Sequence, residues 1–155
     1  MDDLDAFCRW NCGPLMEHRT RGAYAEWLVH RALALDPGEF RGEEARLTLA
    51  GGELSLEVKS SAYLQAWPQG DLSRISFPIE QRAASAYVFC LLAEQDPGRV
   101  NPQDLEQWRF WVVPTRSLHP ERQSIGLQAL IRAHGEGLRY EDLAGRIGEL
   151  NGTEI

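Results

Sequence analysis

Leu54-Ser55-Leu56-Glu57-Val58-Lys59-Ser60-Ser61 is the stretch on which the reading of this chain turns. Leu54, Leu56 and Val58 alternate with Ser55, Glu57 and Lys59, the period of a strand that turns one face to a core and the other outward. Glu57 and Lys59 then share a face. A carboxylate and an ammonium held side by side on a rigid strand suit metal-dependent phosphodiester chemistry. The carboxylate would hold a hard cation, and the lysine would steady developing negative charge or orient water.

A half-buried strand with a wet face alternates in the same way, and Glu and Lys are ordinary wet-face residues. With 23 Asp and Glu among 155 residues, roughly one lysine in seven has an acid two places before it by chance. One compositional fact separates the two readings. Of the 16 Lys and Arg residues 15 are Arg, and Lys59 is the only lysine. Where a surface cation suffices this sequence uses Arg, a wide and permanently charged fork. A retained lysine points to a place that needs a compact charge beside a metal and a water.

At 155 residues and 43% hydrophobic content, the chain has the size of one domain with a core of its own, 1–155. Residues 1–21 read as an N-terminal helix and lead-in, 22–113 as the core and 114–155 as C-terminal helices. No apolar run approaches the length needed to cross a bilayer, and Met1-Asp2-Asp3-Leu4-Asp5 lacks the positive start of an export signal. The expectation is a soluble cytoplasmic protein without a membrane partner. Cys8, Cys12 and Cys90 read as reduced thiols, since a structural zinc site wants four ligands at tighter pair spacing. The net charge of −7 argues against a protein that coats nucleic acid non-specifically. It leaves room for a nuclease, whose site is acidic before its cation arrives.

Outward from the central stretch, Asp2 to Trp10 reads as a short helix ended by Gly13-Pro14. Ala23 to Leu35 reads as a strong helix stopped by Asp36-Pro37-Gly38, with Tyr24, Trp27, Leu28, Ala32 and Leu35 at helical spacing. Glu26 and His30 fall together on another face, either a plain polar face or a carboxylate aimed at the site. Arg19 and Arg21 precede this helix, placed for phosphate near its positive end. Ala45, Leu47 and Leu49 alternate with polar residues and turn through Ala50-Gly51-Gly52 into the central stretch, a β-hairpin. Its register decides whether Glu44 or Arg46 aligns with Glu57 and Lys59.

Ser73 to Ile79 is a further strand, with Pro78 excluding a central position. The unbroken apolar run Ala86 to Leu92 is a central strand buried on both faces. Residues 96–103 form a loop, and Trp108 to Val113 is the next strand, closed by Pro114. Its tryptophans are core or cover before they are base-stacking platforms. From Ser124 the pattern is helical, interrupted by Gly135 to Gly137, and these helices cover the sheet.

This order of helix, hairpin with acid-x-Lys on its second arm, further strands and flanking helices resembles the PD-(D/E)XK nuclease superfamily. Leu56-Glu57-Val58-Lys59-Ser60-Ser61-Ala62-Tyr63-Leu64-Gln65 is similar to the strand-and-exit segment of its small bacterial members. The resemblance implies an α/β fold with a restriction-endonuclease-like core, a mixed central sheet of about five strands flanked by helices. It implies Glu57, Lys59 and Gln65 as catalytic residues. Glu57, Glu44 and Glu26 would hold Mg²⁺ or Mn²⁺, and Arg19, Arg21 and Arg46 would bind substrate.

The family's metal-binding Asp should begin the preceding strand. Arg46 holds that place here, with Glu44 two residues earlier, and no Asp lies between Asp36 and Asp71. Two expectations stand. One is a metal-dependent endonuclease of DNA, or of RNA, working as a homodimer where two cuts are needed. The other is a catalytically degenerate nuclease fold, kept as a nucleic-acid-binding or protein-interaction module, with Arg46 and Glu57 as an internal ion pair.

Overall fold

The computed structural model describes residues 13–34, 47–48, 54–79 and 84–151. Among these the helices are α1 (Gly13–Met16), α2 (His18–Ala32), α3 (Leu127–His134) and α4 (Tyr140–Asn151). The strands are β1 (Leu47–Thr48), β2 (Ser55–Ala62), β3 (Ser76–Pro78), β4 (Ala86–Leu92), β5 (Trp108–Pro114) and β6 (Ser124–Gly126). Short 3₁₀ turns at Leu105–Gln107 and Thr115–Ser117 flank β5.

The central stretch is the strand the alternation predicts, and the hairpin is present, with β1 antiparallel to β2 and Leu47 opposite Leu56. Its turn, the residues Glu44 and Arg46, and the expected helix over Asp2 to Trp10 lie outside the described residues. The sheet order is β1-β2-β4-β5. β2 runs parallel to β4, pairing Glu57 with Tyr87 and Lys59 with Phe89, and β4 runs antiparallel to β5. The chain is therefore α/β with a mixed sheet.

The expectation of about five strands in one sheet is corrected to four, with β3 and β6 forming a separate antiparallel pair. Pro78 ends β3 without an N–H to offer a ladder, and Ile79 N donates beyond it to Gln123 O at 2.8 Å. Ser124 to Gly126, expected to open a helix, pairs with β3 instead, and the helix begins at Leu127. Pairing with a strand some 48 residues earlier in sequence overrides the local helical period there.

Every residue of β4 is buried, as a continuous apolar run demands, and the pleat divides them between two cores. Ala86, Val88, Cys90 and Leu92 face a core closed by Ala25, Leu28 and Val29 of α2 and Leu143, Ile147 and Leu150 of α4. Tyr87, Phe89 and Leu91 face the other, with Ile75, Phe77, Ile125 and Leu130. Each fully buried side chain of this kind contributes about 1.5–3 kcal/mol relative to exposure, so both faces of β4 hold the sheet in place. Trp108 is fully buried and donates its indole N–H to Pro102 O at 2.8 Å. Trp111 is buried and donates to Gly135 O, so neither ring is free to stack on a base.

The helix expected from Ala23 starts at His18 and so takes in Arg19 and Arg21. It ends at Ala32, short of the expected Leu35, and Ala34 two residues on has a φ of 54°, the left-handed conformation that closes helices. No helix among the described residues is long and apolar enough to cross a membrane.

Candidate functional site

Glu57 and Lys59 stand two apart on β2, on the face that also carries Tyr87 and Phe89 of the neighbouring strand. That face belongs to the core on the side away from α2. Glu57 is 1% exposed. Among the described residues neither carboxylate oxygen has a hydrogen-bond partner, and the Lys59 ammonium lies 3.3 Å from Oε1, within ion-pair reach. The Lys59 side chain keeps 17% of its surface exposed, so it stands between the carboxylate and water.

Desolvating a carboxylate without donors is costly, and buried polar groups with no partner are rare in folded proteins. The apolar side of this environment is plain. Tyr87 and Phe89 stack with ring centres 5.4 Å apart, and Phe77 lies 5.0 Å from Phe89. In such surroundings an ammonium interacts strongly with the carboxylate, yet of its roughly four lone-pair directions only one, on Oε1, meets a cation among the described residues.

The sheet separates Glu26 from this pair. Glu26 rises from α2, whose buried residues pack on the other face, against Leu54 and Leu56. Gly22 of the same helix lies under β2, its Cα so placed that an added Cβ would stand 3.8 Å from Ser60 Oγ. Ser60 is buried and its hydroxyl has no partner. Burial raises the Glu26 carboxyl above its ordinary pKa, an effect opposed by the charge of His30. The His30 ring itself is turned to the backbone, Nδ1 donating to Glu26 O at 2.9 Å.

Arg21 and Gln65 are brought together, away from Glu57. Arg21 is 1% exposed. Its Nη1 donates to Met16 O at 3.1 Å and to Gln65 Oε1 at 3.2 Å, Nη2 lies 3.5 Å from His18 Nδ1, and Nε is buried without a partner. No carboxylate pairs with it among the described residues, and burial lowers its pKa to about 10. Gln65 in turn donates from Nε2 to Ala62 O at 2.9 Å, and its backbone N–H donates to Gln69 Oε1 at 2.8 Å. The Gln65 amide is thus committed to holding the exit of β2. Arg19 is exposed on α2.

A cavity of about 640 Å³ opens past the carboxyl ends of β2 and β4, with Met16, Gln65, Trp67, Leu72, Pro97 and Val100 in its wall. Trp67 is 57% exposed at its rim. Sequence reasoning missed this cavity and the Arg21 to Gln65 bond. The first had a signal in the unusual pairing of Trp67 with Pro68 and a following polar turn, but the second depends on a partner 44 residues away. No protein-family model matches the chain, and no curated protein matches it.

Proposed function

We propose that this protein is a metal-dependent phosphodiesterase that cleaves nucleic acid, DNA before RNA, on a restriction-endonuclease-like core. The observation that carries the reading is the Glu57 carboxylate, 1% exposed, with no hydrogen-bond donor to either oxygen among the described residues and the only lysine of the chain beside it. A carboxylate left in that state fits a hard divalent cation, which takes oxygen ligands and fills its remaining positions with water and phosphate oxygens.

Mg²⁺ or Mn²⁺ bound there would polarise a phosphoryl oxygen and supply a nucleophilic water. Glu57 would hold the cation, with Glu44 as a second carboxylate. The rigidity of β2, paired with β4 from Leu56 to Ala62, fixes where Glu57 and Lys59 stand relative to one another. Lys59 would offer its ammonium to the charge that develops on the phosphoryl oxygens, or orient the attacking water. Exposed Arg19 would meet the substrate backbone. Glu26, across the sheet, and Gln65, spent on the β2 exit, are left as supporting residues. In this reading the enzyme works in the cytoplasm, and a homodimer supplies two sites for a double-strand cut.

A second reading, a degenerate nuclease fold acting as a binding module, draws on the close Glu57 to Lys59 ion pair. Titration of Mn²⁺ into the protein by calorimetry, with Mg²⁺-dependent cleavage of DNA and RNA panels, decides between them. The enzyme reading expects metal binding that Glu57→Gln abolishes, and cleavage that falls about 100-fold or more in Glu57→Gln and Lys59→Ala. If only Arg46→Asp binds metal and the wild-type protein cleaves nothing, the degenerate reading replaces it.

A further inference from the structure

We infer that the Lys59 ammonium is the resident counter-ion of Glu57, holding the place a divalent cation takes, so that cation binding and the Glu57 to Lys59 ion pair exclude one another. The inference rests on the reading of Glu57 as a metal ligand and adds how that site is held when no metal is bound.

Three observations carry it. First, the ammonium stands 3.3 Å from Glu57 Oε1, and a hard cation binds such an oxygen at about 2.0–2.6 Å. With the ammonium on Oε1, a cation on either oxygen would put two cationic centres on one carboxylate within a few ångströms, on a sheet face that also carries Tyr87 and Phe89 and where repulsion is weakly screened. Second, no hydrogen bond fixes the ammonium to the carboxylate: among the described residues both Glu57 oxygens are without one. The contact is Coulombic and can be broken without leaving a donor unsatisfied, provided the ammonium reaches water. Third, the Lys59 side chain is already 17% exposed while that of Glu57 is 2% exposed, so the lysine has a route outward that the carboxylate lacks.

A four-carbon stem allows the swing, whereas an arginine fork would hold the carboxylate by paired hydrogen bonds and resist displacement. The choice of lysine at this one position, in a chain with 15 arginines, follows from that difference. Displacement also has a chemical consequence. The partly exposed ammonium, once freed, is able to meet the negative charge of a substrate phosphate, so loading the cation releases the group that would meet the substrate's charge. The site is then weakly loaded at low cation concentration and its lysine is made available by the cation itself.

The test is calorimetric titration of MnCl₂ into the full-length wild-type protein, Lys59→Met, Lys59→Gln and Glu57→Gln, with thermal unfolding of each in the presence and absence of Mn²⁺. Removing the competing ammonium should tighten Mn²⁺ binding about tenfold or more in Lys59→Met. Without metal, Lys59→Met should melt below wild type, because its carboxylate has lost the ammonium 3.3 Å away, and Mn²⁺ should raise its Tm by more than that of wild type. Lys59→Gln, which keeps a neutral donor near the carboxylate, should show the same tightened binding and serves if Lys59→Met folds poorly. Glu57→Gln should bind no Mn²⁺. Equal or weaker binding by the folded Lys59 variants overturns the displacement and leaves Glu57 as a metal ligand. Absence of binding by wild type and both folded Lys59 variants overturns the metal reading of Glu57 together with it.

Discussion

Arg21 and Gln65, 44 residues apart in sequence, are joined below the surface by a 3.2 Å hydrogen bond from the Arg21 guanidinium to the Gln65 side-chain oxygen. The bond ties the first turns of α2 to the exit of β2, the strand that carries Glu57 and Lys59. Among the described residues the guanidinium meets Met16 O, Gln65 Oε1 and the His18 ring, and no carboxylate. Burial of that charge is the reason the Arg21 pKa falls to about 10. A guanidinium in such a place is held by dipoles, and removing any one of them leaves it more exposed to the cost of its burial.

A double-mutant cycle should therefore find Arg21 and Gln65 coupled. Arg21→Ala is expected to cost about 2–4 kcal/mol, through lost packing and two orphaned acceptors, and Gln65→Ala about 1–3 kcal/mol. The pair should fall short of the sum by about 1 kcal/mol, read from urea unfolding midpoints at constant m. Strict additivity would show that the bond contributes nothing beyond its two side chains.

Gly137→Ala should be destabilising by about 1–3 kcal/mol. A Cβ at Gly137 would stand 2.8 Å from Arg109 Cβ and 2.9 Å from the Trp111 ring. The ring cannot retreat cheaply, since its indole N–H is bonded to Gly135 O at 2.9 Å. Thermal unfolding of the variant checks this, and a Tm equal to wild type would mean that the 135–137 turn shifts freely.

Gly145→Ala should do the opposite. Gly145 lies inside α4, and nothing stands within 4 Å of an added Cβ. The substitution removes the backbone entropy that glycine loses in a helix and should stabilise by about 0.5–1 kcal/mol. The same unfolding measurement, run beside Gly137→Ala, separates a close approach from a mere absence of side chain.

Glu26→Gln should stabilise at neutral pH and lose that advantage in acid. Burial raises the folded-state pKa of Glu26, so the folded protein binds this proton more tightly than the unfolded chain does. The stability contributed by the neutral carboxyl is present below the unfolded value and is lost as pH rises through the folded one. The glutamine is neutral throughout. The difference between variant and wild type should grow in favour of the variant from pH 4 to pH 7 in paired urea titrations, and a difference independent of pH would contradict it.

Legibility followed the range of the interaction. The period of two in Leu54 to Lys59, the apolar run Ala86 to Leu92 and the breaks at Pro114 and Gly135 to Gly137 are local signals, and the elements they announce are present; Gly13-Pro14, expected to end a helix that lies outside the described residues, instead opens α1, with Pro14 in a first turn whose N–H would be unpaired anyway. The extent of the sheet was not local. β3 and β6 leave the main sheet because three residues ending in Pro78 find a partner in Ser124 to Gly126, a choice no window of sequence contains. Of the expected site, the shared face of Glu57 and Lys59 was legible, since the pleat alone sets it. The separation of Glu26 from them was not, because the side of the sheet on which α2 lies depends on how α2 and α4 close one core together.

The sequence by itself determined that β2 exists, that Glu57 and Lys59 share one of its faces and that a single lysine stands among arginines. Backbone geometry and composition suffice for those statements. Only the tertiary structure decided that the Glu57 carboxylate is buried with no hydrogen-bond donor among the described residues, and that Arg21 lies buried against Gln65 rather than exposed to a substrate. Burial and desolvation are sums over neighbours drawn from distant parts of the chain, and they become properties of a residue once those neighbours have packed around it.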